Sequence, residues 1–246
     1  MSLFDKLRFA FDPAGAFKEG KLYSWFPSET KAQFDASAFD VVRPTSVDRI
    51  NKDGQVESVP PNVPVLDYSD GGCPKLLTGA DDSITGAGDS STFNSESGVL
   101  FADVKALSDV SNDALSINDG SSSNRCTISL RSDGFIQGFV ASEGVSQCDI
   151  RTMYPKIIQN KISLKYQSNR FDLWINGINF GNDTSGGSPN NLSRIDLSEY
   201  SGSSNKLQAK TKSVQHFDAL TDAELEELTG YDSYDQMVSQ FNFTTL

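Results

Sequence analysis

The sequence has one histidine, His216, and three cysteines, Cys73, Cys126 and Cys148. A nucleophile–histidine triad needs an imidazole held beside a Ser or Cys. His216 is the single candidate, and it stands just before "FDALTDAEL", where a surface or packing role is expected. Zinc sites draw His and Cys together at close spacing, and these four residues are scattered, so no metal site is expected. Cys126 and Cys148 lie in neighbouring strand-like stretches and could approach one another, but buried free thiols are the expected state.

Basic residues are also scarce, 21 Lys and Arg against 33 Asp and Glu, for a net charge of −12. Counterion release rewards cationic surfaces on DNA and RNA, so no nucleic-acid partner is expected. An anionic membrane is disfavoured for the same reason. No apolar run approaches the roughly 20 residues that span a bilayer. No N-terminal stretch joins a basic start to an apolar core and a small-residue cleavage site. A soluble protein without membrane insertion or an export address is expected.

Walker, Rossmann and EF-hand patterns are missing as well. Asp53, Asp70, Asp119 and Asp133 each precede a glycine, which ordinarily makes a turn; structural calcium is the alternative. No cofactor is expected.

What is present is bulky apolar volume, with 16 Phe and 37% hydrophobic residues, enough for a sizeable core. From residue 99 onward short apolar runs recur every 8 to 12 residues. These include "GVLFADVKAL", "ALSIND", "RCTISLRSD", "GFIQGFVAS", "QCDIRTMY", "KISLKYQ", "FDLWIN", "GINFGN" and "LSRIDLS". Ile128 and Leu130 share one face of their run, as do Ile162, Leu164 and Tyr166. With no long amphipathic helix between them, the runs predict an all-β, antiparallel sandwich or barrel over 99–216.

Residues 1–78 differ: Pro-closed apolar runs, a hairpin signal at Asp53-Gly54 and a Pro-rich stretch describe an extended N-terminal arm. "MSLFDKLRFAF" predicts a short helix with Leu3, Phe4, Leu7 and Phe11 on one face, ended by Pro13. Residues 79–98 have the Gly/Ser-rich composition of a linker or loop. In 217–246, Thr221 and Glu224 form a capping box on a short helix with Leu225 and Leu228 inward and Gly230 as its stop. A second short helix, "SYDQMVSQF", and a last strand, "FNFTTL", complete the expectation.

Glycoside hydrolysis needs two carboxyls about 5–10 Å apart. Asp196 and Glu199 have odd separation and fall on opposite faces of a strand, and Glu143 and Asp149 are too far apart to share one. No enzyme is therefore expected, with a polysaccharide depolymerase as a lesser alternative. Glycan binding asks only for an aromatic platform and a few polar donors. In "FDLWING", Phe171, Leu173 and Ile175 face one way and Asp172, Trp174 and Asn176 the other. Trp174 either stacks on a sugar or is buried under the arm or the terminal helix, and the second reading is preferred. Asn176-Gly177 is read as a type I′ turn setting the register of the two strands around it.

"KISLKYQSNRFDLWINGINFG" resembles the central strands of laminin G-like, concanavalin A-type jelly rolls. "KEGKLYSWFP" followed by "DVVRPTSVDRINKDGQVESVPPNVPVLDYSDGGCPKLL" is similar to the opening of a family of tailed-bacteriophage virion proteins. The closing "FDALTDAELEELTGYDSYDQMVSQFNF" is similar to how they end. The chain departs from that pattern after Leu77, passing straight into the Gly/Ser-rich stretch. The resemblance implies a virion structural protein of the fibre, decoration or accessory kind, located on the particle. Other virion proteins and further copies of the chain are its expected partners, and a host-surface glycan is the partner in the alternative reading, a receptor-binding adhesin.

Overall fold

Apolar residues alternate with polar ones along most of the runs, and two sheets close face to face on the apolar sides. The computed structural model describes residues 3–11, 17–18, 21–22, 40–42, 48–50, 56–58, 65–67, 75–77, 83–85, 93–200, 205–207 and 209–231. After a helical turn, α1 (Leu3–Lys6), come short strands: β1 (Leu7–Phe11), β2 (Phe17–Lys18), β3 (Lys21–Leu22), β4 (Asp40–Val42), β5 (Asp48–Ile50), β6 (Val56–Ser58), β7 (Val65–Asp67), β8 (Lys75–Leu77) and β9 (Ser83–Thr85). Longer strands follow: β10 (Ser97–Ala106), β11 (Asp113–Asn118), β12 (Arg125–Leu130), β13 (Phe135–Ser142), β14 (Val145–Met153), β15 (Asn160–Gln167), β16 (Arg170–Ile175) and β17 (Ile178–Asp183). The chain continues through β18 (Arg194–Asp196), β19 (Ala209–Phe217) and helix α2 (Asp222–Thr229).

The first sheet has the order β17-β16-β15-β10-β19-β8-β7, with β1 also on β19, and the second β14-β13-β12-β11-β18-β9-β4. All named pairings are antiparallel, and the architecture is a jelly-roll β-sandwich. Its core joins Leu100, Leu115, Ile128, Val140, Leu164 and Phe171 from both sheets, each fully buried. The pairs Ile128/Leu130 and Ile162/Leu164 with Tyr166 all point into that core.

Several expectations are met in detail. Asn176 and Gly177 both have positive φ, 50° and 82°, and connect Ile175 to Ile178. That is the backbone of a type I′ hairpin turn, whose twist matches that of the strands it joins. Thr221 and Glu224 make the reciprocal capping box on α2, and Leu225 is buried beneath the helix. Gly230 closes α2 at φ −65°, extended rather than left-handed. β5 and β6 pair as a hairpin, with Ile50 opposite Val56; the Asp53-Gly54 turn itself lies outside the described residues. Cys73, the second terminal helix and the final strand lie outside them too.

Cys126 and Cys148 are free and buried. Val140 stands between them, opposite Cys126 on one side and Cys148 on the other. Two strand spacings amount to about 9.5 Å, beyond the roughly 7 Å limit for a disulfide. Burial pushes the Cys148 thiol up to about 12 and Cys126 well above its usual value, so both stay protonated.

Two elements differ from expectation. The N-terminal helix stops at Lys6, and Leu7–Phe11 pairs with β19 instead. "LRFAF" alternates in period two, and β19 offers a row of backbone partners that an isolated short helix cannot match. Strand β19 itself, paired on one side with β10 and on the other with β1 and β8, is absent from the sequence-read strands. Its register slips between Thr211 and Ser213, which breaks the alternation, and two of its inward residues, Thr211 and His216, are polar.

His216 lies inside the sandwich, fully buried, not at the surface. The Tyr166 hydroxyl donates to the Asn94 carbonyl at 2.6 Å, which uses its only proton. The 2.9 Å contact to His216 Nε2 must then run from the imidazole N–H to the hydroxyl oxygen. Nδ1 is left as an acceptor with no partner among the described residues. Gly98 admits this pair: a Cβ there would lie 2.6 Å from the Tyr166 hydroxyl and 2.7 Å from Nε2.

Burial lowers the His216 pKa from 6.5 to about 3. The hydrogen bond from Lys6, with that from the Thr221 backbone, lowers Glu224 from 4.5 to about 2. Below pH 6.5 the unfolded chain protonates the histidine while the folded one does not, so the fold loses stability as pH falls from 6.5 towards 3. Glu224 adds a second loss from 4.5 towards 2, as its carboxylate protonates first in the unfolded chain. Urea unfolding against pH should show a plateau above 7 and, in the upper window, a slope of about 1.4 kcal/mol per pH unit. His216→Gln should remove the slope between pH 6.5 and 4.5.

Candidate functional site

A sandwich has two outer faces, and here they are treated differently. The outer face of the first sheet is roofed by α2. Val99, Phe101, Trp174, Phe217, Leu220 and Leu225 form a second apolar cluster there, with Leu3 and Leu228 at its margin. Trp174 is 8% exposed. It is a packing residue, as the preferred reading had it, and not a sugar platform.

Its neighbours serve the same contact. Lys165, opposite Asp172 in register, is 3% exposed and donates from Nζ to the Leu220 carbonyl at 2.8 Å. Burial lowers its pKa, reinforced by Arg170. Asp172 accepts from Arg170 at 3.2 Å and Asn179 at 3.3 Å. At the hairpin, Asn176 accepts from the Lys161 amide at 2.9 Å and donates to Asn160 at 2.8 Å, while the Gly177 amide donates to Thr229 Oγ1 at 3.1 Å. The turn is thus fastened to β15 and to the end of α2.

The outer face of the second sheet is polar. Period two sends Ile136 and Val140 inward, and Gln137 and Phe139 outward. Register then sets Asp149, Phe139, Thr127 and Ser116 in one row across β14, β13, β12 and β11. The next row holds Arg151, Gln137 and Ser129. On the other flank Arg125 lies with its guanidinium 4.9 Å from the centre of the Phe139 ring and 5.1 Å from that of Tyr200, within cation–π range of both. Asp149 and Arg151 are exposed, Phe139 and Ser129 half-buried, and Thr127 buried.

These polar groups form one network. Arg151 grips Asp149 with two bonds, 2.8 and 2.6 Å. Gln137 donates to Asp149 at 2.6 Å and accepts from Arg131 at 3.2 Å, which fixes its amide orientation. Arg131 also binds Asp133 at 2.9 Å. Burial opposes ionisation of Asp149, but the bonds from Arg151 and Gln137 prevail and hold its pKa below the usual carboxylate value. Across the face, Arg194 donates to buried Asp196 at 2.6 Å and Arg125 to Glu199 at 3.3 Å. Among the described residues, Thr127 Oγ1 and Arg125 Nε are buried polar atoms without a hydrogen-bond partner.

Asp196 and Glu199 do not fall on opposite faces of a strand. β18 ends at Asp196, so alternation no longer governs Glu199, which reaches Arg125 on the same outer face. Glu143 sits at the opposite end of β14 from the network, in a hairpin turn at φ 53°, bonded to Asn190 at 3.1 Å. Asp119 makes a turn: its carboxylate accepts from Ser121 at 2.6 Å and Asn124 at 2.8 Å. Among the described residues, no group of three His, Cys, Asp or Glu is placed to hold a metal ion.

Beside the Arg131–Asp133 turn is a cleft of about 300 Å³ lined by Asp109, Gly134, Met153, Tyr154, Pro155 and Lys156. Lys156 Nζ donates to the Ser111 carbonyl at 2.6 Å, tying the two loops that wall it.

No protein-family model matches the chain, and no curated protein matches its sequence. Solved structures do resemble it. HCR/D-Sa-GBL1/C is similar with a TM-score of 0.59 and 15% identity, over 92% of this chain and 52% of that one. The binding domain of Botulinum Neurotoxin DC in complex with SialylT gives 0.58 and 14%, over 92% and 52%. The Ruminococcus gnavus IT-sialidase CBM40 bound to α2,3-sialyllactose gives 0.46 and 15%, over 55% and 83%. The chain spans about half the length of the first two. At these identities the likeness of those two establishes the fold.

Trp174→Ala should cost about 3–5 kcal/mol of stability by emptying the space under α2. Chemical unfolding measures it, and a variant as stable as the parent would contradict the packing role.

Proposed function

We propose that this protein is a non-catalytic glycan-binding head whose ligand lies on the outer face of the second sheet. The observation that carries the reading is the asymmetry of the two faces. One is roofed by α2; the other, buried at Ser116, Thr127 and Asp196, opens at its β13–β14 end, where the half-buried Phe139 is flanked by the fixed donors and acceptors of Gln137, Asp149 and Arg151. A sugar needs an apolar surface for its C–H face and paired polar groups for its hydroxyls. The fold shared with the binding domain of Botulinum Neurotoxin DC in complex with SialylT supports a binding role for such a sandwich.

Binding is favoured over catalysis by the carboxyls. A glycosidase needs one carboxylic acid with a raised pKa, whereas Asp149 on this face, and Asp119, Asp133 and Glu224 elsewhere among the described residues, are held low.

The resemblance of both ends of the chain to tailed-phage virion proteins supports carriage of this head on a virus particle. There residues 1–78 would dock on other virion proteins or on further copies of the chain, and the glycan would belong to the host surface.

A glycan array should show binding by the parent protein that is lost in Phe139→Ala and kept in His216→Gln; silence across the array would end the reading. Deleting residues 1–78 should abolish incorporation into particles, and a truncated protein that still assembles would remove the docking role.

A further inference from the structure

We infer that the ligand of this face is a neutral, hydroxyl-rich glycan and not an acidic one; this rests on the glycan-binding reading above. The argument begins with the arginines. A carboxylate-bearing sugar is best held by the planar fork of a guanidinium, two parallel N–H groups on two oxygens. Every arginine of the face already commits at least two N–H donors within the protein, and each lies against a carboxylate. Arg151 closes both bonds on Asp149. Arg131 uses Nε and one terminal nitrogen on Asp133, and the other terminal nitrogen on Gln137. Arg194 directs Nε and a terminal nitrogen at Asp196, 3.0 and 2.6 Å. Arg125 is divided between Glu199 and the Ser122 carbonyl and is further held against two rings.

The four arginines therefore face four carboxylates, and the surface is charge-balanced in a chain of net charge −12. An acidic sugar would have to share Arg151 or Arg131 with Asp149 or Asp133, setting its own charge beside theirs. The field of the whole chain opposes its approach as well.

A hydroxyl meets no such conflict. It is donor and acceptor at once, so one hydroxyl can give its proton to Asp149 while accepting from Arg151 without parting the pair. Neighbouring hydroxyls on a ring reproduce that requirement along the hydrogen-bonded chain from Arg151 through Asp149 and Gln137 to Arg131. Phe139 lies in the adjacent row, where a C–H face can rest on it.

The test is a titration of the full chain with neutral hexose oligosaccharides and with the same oligosaccharides capped by a sialic or uronic acid, at 50 and 500 mM NaCl. The neutral ligands should bind, the acid cap should weaken binding tenfold or more, and Kd for the neutral ligands should change less than about twofold with salt, since no ion pair forms across the interface. Asp149→Asn and Gln137→Ala should each weaken binding tenfold or more, with unfolding midpoints confirming that both remain folded. Preferential binding of the acid-capped series, stronger at low salt and lost in Arg151→Gln, would overturn the inference while leaving the glycan-binding reading intact. Binding of neither series would overturn both.

Discussion

Helix α2 covers the outer face of the first sheet, and the rest of the surface chemistry follows from that contact. The helix brings Leu225 down onto Trp174 and Phe217, and it presents the Leu220 carbonyl to Lys165, a buried cation that would otherwise have no acceptor on that side. Lys6 fastens Glu224, the residue that closes the capping box, so α1 and α2 hold one another. With this face closed, apolar residues and buried charge on β15 and β16 serve cohesion. The second sheet instead carries outer residues that are polar and cross-linked among themselves.

The jelly roll was legible because its determinants are local. Leu100 to Val104, Ile128 with Leu130, and Ile162 to Tyr166 each declare a strand within a few residues, and Asn176-Gly177 declares its turn in two. Strand β19 was not legible. Its slip at Lys212 destroys the alternation, and its buried residues include Thr211 and a histidine whose partner, Tyr166, is 50 residues away. What stabilises β19 is pairing on both edges, which no single stretch of sequence records.

The polar network on the second sheet was hidden for a related reason. Gln137 and Asp149 are 12 residues apart and Arg125 and Glu199 are 74 apart, so they meet only through strand register. One signal was available: in "GFIQGFVAS" the inward set Ile136 and Val140 forces Gln137 and Phe139 outward together. Trp174 drew attention instead because it is large and alternates away from the core. That logic names a face without saying what covers it, and α2, 48 or more residues later in the chain, supplied the cover.

Strand β1 has a mechanical consequence. It runs antiparallel to β19 from Leu7 opposite Phe217 to Phe11 opposite Val214, and side-chain pairs from Lys6 to Glu224 and from Arg8 to Asp218 flank it. Traction along that axis loads these backbone bonds together, in shear, instead of parting them one after another. A domain held through this seam resists pulling more than its modest length suggests.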